Sequence, residues 1–147
     1  MAEYVYNAVQ LVQPNQAVIL DDSLPCNKGN VFHRNESGNL ILRGNTPNCF
    51  SRYKVTFNGN IGVPSTGTAE AISIALAVNG EPLQTSRAIV TPAAVTTTDN
   101  TDANYFNVTS TAIITVPKGC CLDTTVENTA TQAINVRNAN VTVERIA

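Results

Sequence analysis

Residues 71–83 read AISIALAVNGEPL, and the alternation within them decides the fold. Ile72, Ile74, Leu76 and Val78 fall on one face of an extended chain, while Ala71, Ser73, Ala75 and Ala77 fall on the other. Side chains switch faces with a period of two along a strand, so this stretch is a strand with one wholly apolar face. Asn79-Gly80 follows at once. That dipeptide beside an alternating segment is the strongest short hairpin signal, because a type I′ turn needs positive φ at both central residues. The face of small residues suits close approach to another surface, and a neighbouring subunit is one candidate.

The same period recurs on both sides. Tyr53, Val55 and Phe57 share a face in SRYKVTFNGN, after which Asn58-Gly59 predicts a bulge or tight turn before Ile61 and Val63. Leu40 and Leu42 alternate with Ile41 and Arg43. A strand begins near Asn107 and stops at Pro117. Thr124, Val126 and Asn128 mark another, and Ile134 with Val136 a shorter one. In the closing NANVTVERIA, Val141 and Val143 oppose Thr142, Glu144 and Ile146. Turn chemistry separates these runs at Gln13-Pro14-Asn15, Asn27-Lys28-Gly29, Ser37-Gly38-Asn39 and Lys118-Gly119. No segment carries a helical stripe, and TTTDNTDAN (96–104) reads as an exposed polar loop. Eight to ten short strands with no linker between them predict an all-β fold, one domain over residues 1–147.

Composition narrows the function classes. The chain is 43% hydrophobic but only 14% charged, against an ordinary charged share of about 25%. Its surface polarity must therefore come from Asn, Thr, Ser and Gln. Nine Lys and Arg are scattered over a chain of net charge −2, with no basic stripe for nucleic acid. No apolar run approaches the ~20 residues of a membrane-spanning helix. MAEYVYNAVQ has neither the basic nor the apolar region of a secretory signal, so the chain is expected to be made in a cytoplasm and either to stay there or to leave by assembly or lysis.

Taken in order, five stretches resemble the globular head shared by tumour-necrosis-factor-like and complement-type jelly rolls. They are VQLVQPNQAVILDD, VFHRNESGNLILRG with CFSRYKVTFNGNIGV, AISIALAVNGEPL, AIITVPKGCCLDTTVENTATQAINV and NANVTVERIA. The likeness is nearest to the C-terminal heads of collagen-like bacterial spore-surface proteins and of related phage-encoded structural proteins. Two departures stand out: there is no Gly-x-y stalk, and Cys120 holds a late-turn position that is commonly acidic. The resemblance implies a two-sheet antiparallel jelly-roll sandwich that trimerises about a threefold axis. The first and last strands are the expected seam, with Tyr4, Tyr6 and Ile146 as its contributors.

The four cysteines admit several readings. Cys120 and Cys121 are adjacent, so in a strand they point to opposite faces. Their Cα atoms lie about 3.8 Å apart, too close for an unstrained bridge. Cys26 and Cys49 bracket residues 27–48. A disulfide between two non-adjacent cysteines and buried free thiols both stay open. Zinc wants paired ligands at short spacing, which Cys26, Cys49, Cys120, Cys121 and the lone His33 do not supply. A Cys–His nucleophile would need His33 beside the doublet and a third, orienting group. Asp21-Asp22 with Asp99 and Asp102 offers too few oxygens for calcium, which takes about 6–8.

The expectation is thus a non-enzymatic structural protein without cofactor or metal: a homotrimeric jelly-roll module on a particle surface. A phage virion decoration or fibre head is favoured over a spore surface, with itself and other particle proteins as partners and neither nucleic acid nor membrane. The rival is a carbohydrate- or receptor-binding adhesion module, whose ligand loop would draw on Arg87, Tyr105 and Phe106.

Overall fold

The computed structural model describes residues 2–24, 30–34, 36–93 and 105–147. Cys26 and the polar run 96–104, with Asp99 and Asp102, lie outside them. The described strands are β1 (Ala2–Tyr6), β2 (Gln10–Val12), β3 (Asp22–Leu24), β4 (Val31–His33), β5 (Leu40–Arg43) and β6 (Phe50–Gly62). They continue as β7 (Ile72–Val78), β8 (Glu81–Pro82), β9 (Ala88–Val90), β10 (Phe106–Pro117), β11 (Cys121–Asn128) and β12 (Ile134–Arg145).

These strands form two antiparallel sheets. The first runs β10-β6-β12-β1-β3 with β2 beside β12; the second runs β4-β5-β11-β7-β8 with β9 beside β7. Their inner faces meet as a sandwich. From the first sheet Tyr4, Tyr53, Val55, Phe57, Ile61 and Val141 are completely or almost completely buried. Leu40, Leu42, Ile72, Ile74 and Leu76 meet them from the second. Each such side chain contributes roughly 1.5–3 kcal/mol through loss of apolar surface to water. The fold is all-β, as the alternation predicts, and is the two-sheet jelly roll that the resemblance implies.

The hairpin after β7 forms as read: Asn79 has φ 51 and Gly80 φ 82. The small-residue face behaves differently from the expectation. Ala75 and Ala77 are fully buried within the protomer itself, with Glu127 and Thr125 of β11 beside them, so that face is not free for a subunit.

Asn58-Gly59 is also corrected. β6 runs straight through it, because the Phe57 ring packs over Gly59, where an added Cβ would stand 2.7 Å from the ring Cζ. The irregularity sits in the neighbouring strand instead. Between Arg137 and Asn140 β12 spends one more residue than the facing Asn60–Asn58 segment, and Asn138 adopts φ 56. This bulge joins the two runs read as separate, Ile134-Val136 and 141–146, into one bent strand.

Two polar groups tie the layers together. Asn128, fully buried, donates from Nδ2 to the carbonyls of Val12 (2.9 Å) and Gln132 (3.0 Å) and accepts at Oδ1 from the Ala130 N–H (2.8 Å). The Tyr53 hydroxyl donates toward the carbonyls of Arg43 (2.6 Å) and Asn30 (3.3 Å). Burial raises its pKa above the ordinary phenol value, partly offset by the Arg145 cation.

Candidate functional site

The outer face of the first sheet is built from the odd residues of β10 and the even residues of β6, because those of opposite parity fill the core. Its polar half is an amide belt crossing four segments. Asn107 Nδ2 donates to Asn58 Oδ1 (3.0 Å) and Asn60 Oδ1 (3.2 Å), and Asn60 Nδ2 donates to Asn138 Oδ1 (3.1 Å). Asn138 Nδ2 then reaches Asn7 Oδ1 (2.7 Å). Thr111 donates to Thr56 (3.3 Å), and Asn140 to Glu3 (2.5 Å). The belt is the surface that the Asn- and Thr-rich composition required. The Nδ2 groups of Asn107, Asn60 and Asn138 thus find partners within the belt, so a partner surface can cover those three without leaving them unmet.

The other half carries exposed apolar side chains. Register sets Ile113 opposite Lys54 and Pro117 opposite Phe50, while the Ile146 N–H bonds the Arg52 carbonyl. Ile113, Phe50 and Ile146 all lie on this half of the outer face, exposed by 60%, 40% and 45%, with the outward Arg52 and Lys54 of β6 between Ile113 and Ile146. The Arg52 guanidinium stands 5.1 Å from the Phe50 ring centroid, a cation–π contact that holds the ring up in solvent.

The expected seam residues divide. Ile146 lies on this half, and Tyr6 is half-buried against the core. Tyr4 is corrected: it is fully buried, its ring 4.7 Å from that of His33, so it packs the interior rather than a subunit contact. The pattern in AEYVY did not say which face of β1 met the core. Phe50 and Ile113, which the sequence reading passed over, were findable as apolar residues out of phase with their neighbours' inward face.

The thiols are corrected as well. Cys49, Cys120 and Cys121 are free and exposed in the protomer, so none of the three is a packed core residue or bridged within the chain. His33 is turned elsewhere: its Nε2 bonds the Ser37 carbonyl at 2.8 Å, and its strand partner Leu40 lies three residues along β5 from Arg43, the partner of Cys121. That is roughly 10 Å of strand. Among the described residues no group of three or more His, Cys, Asp or Glu is placed to hold a metal ion.

The proposed ligand loop does not converge. The Arg87 Nε donates to Ser73 Oγ (3.2 Å), whereas Tyr105 lies 5.7 Å below the Arg137 guanidinium at another strand end. Phe106 is 37% exposed. A separate shallow groove of about 180 Å³ is lined by Phe32, Arg34, Ser37, Asn39 and Ile41, with Phe32 47% exposed.

Electrostatic stress lies on the outer face of the second sheet. Glu127 is 7% exposed opposite Ala75, and burial first, then the Glu81 charge, raise its pKa above the ordinary carboxyl value. Asp123, on the same face, is raised by burial. A raised carboxyl pKa adds stability that is fully present below the unfolded value, about 4.3 for Glu, and lost as pH rises through the folded value. Glu127→Gln removes that loss. It is expected to stabilise the protein at pH 7 by on the order of 1 kcal/mol, a rise in Tm of about 2–4 °C, with little difference from wild type at pH 4. Thermal melts at the two pH values check this.

Comparisons with known proteins place the fold. No protein-family model matches the chain, and no curated protein matches it. Among solved structures, the chain is similar to the globular domain of the zebrafish complement 1qA protein, with a TM-score of 0.55 at 14% identity, covering 96% of this chain and 94% of that one. This supports the complement-type jelly roll that the order of strands suggested. Two carbohydrate-binding modules are more distant. The family 35 module from Clostridium thermocellum gives a TM-score of 0.34 at 13% identity, over 91% of this chain and 97% of that one. The CBM35 from Cellvibrio japonicus Abf62 gives 0.30 at 14% identity, over 95% and 99%. Among the described residues no helix is long and apolar enough to cross a membrane.

Proposed function

We propose that this protein is a non-enzymatic structural module that assembles as a homotrimer and is displayed on a particle surface, a phage virion decoration or fibre head before a spore surface. The observation that carries the reading is the outer face of the first sheet. A belt of interlinked amides adjoins a half on which Ile113, Phe50 and Ile146 stand exposed around Arg52 and Lys54. Covering that half gains roughly 1 kcal/mol for each half-exposed apolar side chain, repeated in every copy of a closed ring. Light scattering on the purified chain at micromolar concentration tests the assembly: a mass three times the protomer's is expected, and a monomer removes the reading.

The Phe32 groove favours a second reading, glycan binding, since an exposed ring beside Arg34 and Asn39 suits stacking and hydrogen bonding to a saccharide. A glycan array decides it: binding lost in Phe32→Ala supports that reading, and no binding on any glycan counts against it.

A further inference from the structure

Free cysteine is among the most buried residue types, yet all three described thiols here are exposed. They also gather at one end of the sandwich. The strand pairing that sets Pro117 opposite Phe50 continues outward, with the Lys118 N–H on the Cys49 carbonyl at 2.9 Å. There the chain turns through Gly119 at φ 76. Cys120 closes the turn onto the Pro117 carbonyl (3.0 Å), and its own carbonyl accepts from the Gly44 N–H (2.8 Å). Gly44 locks this arrangement, because a Cβ there would lie 2.0 Å from the Pro117 carbonyl oxygen. Cys49, entering β6, and Cys120, on the turn between β10 and β11, are thus held at one pole. That pole adjoins the corner formed by Phe50 and Pro117. Cys121 sits opposite Arg43, on the outer face of the other sheet with Asp123.

We infer that Cys49 and Cys120 are a covalent clasp between copies: Cys49 of one protomer bonds Cys120 of the next, sealing the ring. The inference rests on the homotrimer reading and extends it. Geometry asks for two different thiols. In a threefold ring each copy meets its two neighbours through different surfaces, so a closed set of bridges needs one cysteine for each side. One cysteine per copy could join copies only in pairs.

The chemistry is thiol–disulfide exchange with a small disulfide such as oxidised glutathione. Cys120 first takes one glutathione half in a mixed disulfide, releasing the other as a thiol. The Cys49 thiolate of the neighbouring copy then attacks the Cys120 sulfur, the protein S–S bond forms, and the second glutathione thiol leaves. Per bridge, two protein thiols are oxidised, one oxidised glutathione is reduced to two thiols, and the two cysteine protons end on them.

The test uses the full chain, half of it nitrogen-15 labelled, mixed, assembled and incubated with oxidised glutathione. Non-reducing electrophoresis is expected to show a covalent trimer that dithiothreitol dissolves, and peptide mapping a light–heavy Cys49–Cys120 link. Cys49→Ser is expected to lower the covalent trimer at least tenfold and leave dimers at most, while Cys121→Ser leaves it unchanged. Bridges found only within chains, or none, in a protein that scatters as a trimer overturn the clasp and leave the assembly standing. A monomer by light scattering overturns both.

Discussion

Asn128→Asp is expected to yield a protein that folds well only in acid. The wild-type amide meets two carbonyl oxygens with its Nδ2 and one N–H with its Oδ1, at a position wholly shielded from water. An ionised carboxylate would set an oxygen where Nδ2 stood, facing the Val12 and Gln132 carbonyls with no proton to offer. An uncompensated buried charge costs about 3–5 kcal/mol, a large part of the roughly 5–15 kcal/mol that holds a domain folded. The protonated acid can still donate to one carbonyl. The folded pKa is therefore pushed well above the unfolded value, about 3.9 for Asp. Stability is present below that value and is lost as pH rises through the folded pKa. Asn128→Ala introduces no charge but leaves two carbonyls and the Ala130 N–H unmet, for about 1–3 kcal/mol. Urea midpoints should thus run wild type, Ala, Asp at pH 7, with the gap between the two variants closing near pH 4. An Asp variant as stable as wild type at pH 7 would show that this amide is not the tie between β2 and β11.

That residue also marks how far the sequence could be read. Asn128 was legible as an inward position of an alternating strand, but nothing local said that its amide would find a carbonyl more than a hundred residues away. Period and turn chemistry act over a few residues, so the strands, the Asn79-Gly80 hairpin and the all-β class followed from them, while the two-sheet arrangement came from the resemblance. What depends on partners did not. Asn58-Gly59 has turn chemistry, yet the Phe57 ring fills the space over the glycine and keeps β6 extended, moving the irregularity into β12. Tyr4 and the doublet Cys120-Cys121 failed for the same reason. Alternation says that two faces exist, whereas only the packed sheets say which one is inside and whether a strand end is covered. The amide belt was visible only as composition, because it assembles from β10, β6, β12 and the residue after β1.

The proposed assembly face yields the other large effect. Ile113→Glu is expected to convert the proposed trimer to monomers at micromolar concentration, weakening association at least 100-fold, while leaving the protomer folded. Ile113 is 60% exposed on the edge strand, opposite Lys54, so in an isolated protomer the new carboxylate stays in water beside a cation. In the proposed ring the same side chain would be covered, and one carboxylate would be buried in each of three equivalent seams. Lys54 already faces Glu144 on its other side, so it matches the new charge only in part; a buried charge so matched costs several kcal/mol, whereas the lost isoleucine contact accounts for about 1 kcal/mol, so desolvation dominates. Two controls separate this from misfolding. Ile113→Val keeps the seam apolar and should remain trimeric. Acidification toward pH 4 protonates the glutamate and should restore part of the association in Ile113→Glu. Sedimentation velocity across that pH range, with circular dichroism to follow the sheets, reads both. A trimer that persists unchanged at pH 7 would place the seam away from this half of the outer face and leave Ile113, Phe50 and Ile146 free for another partner.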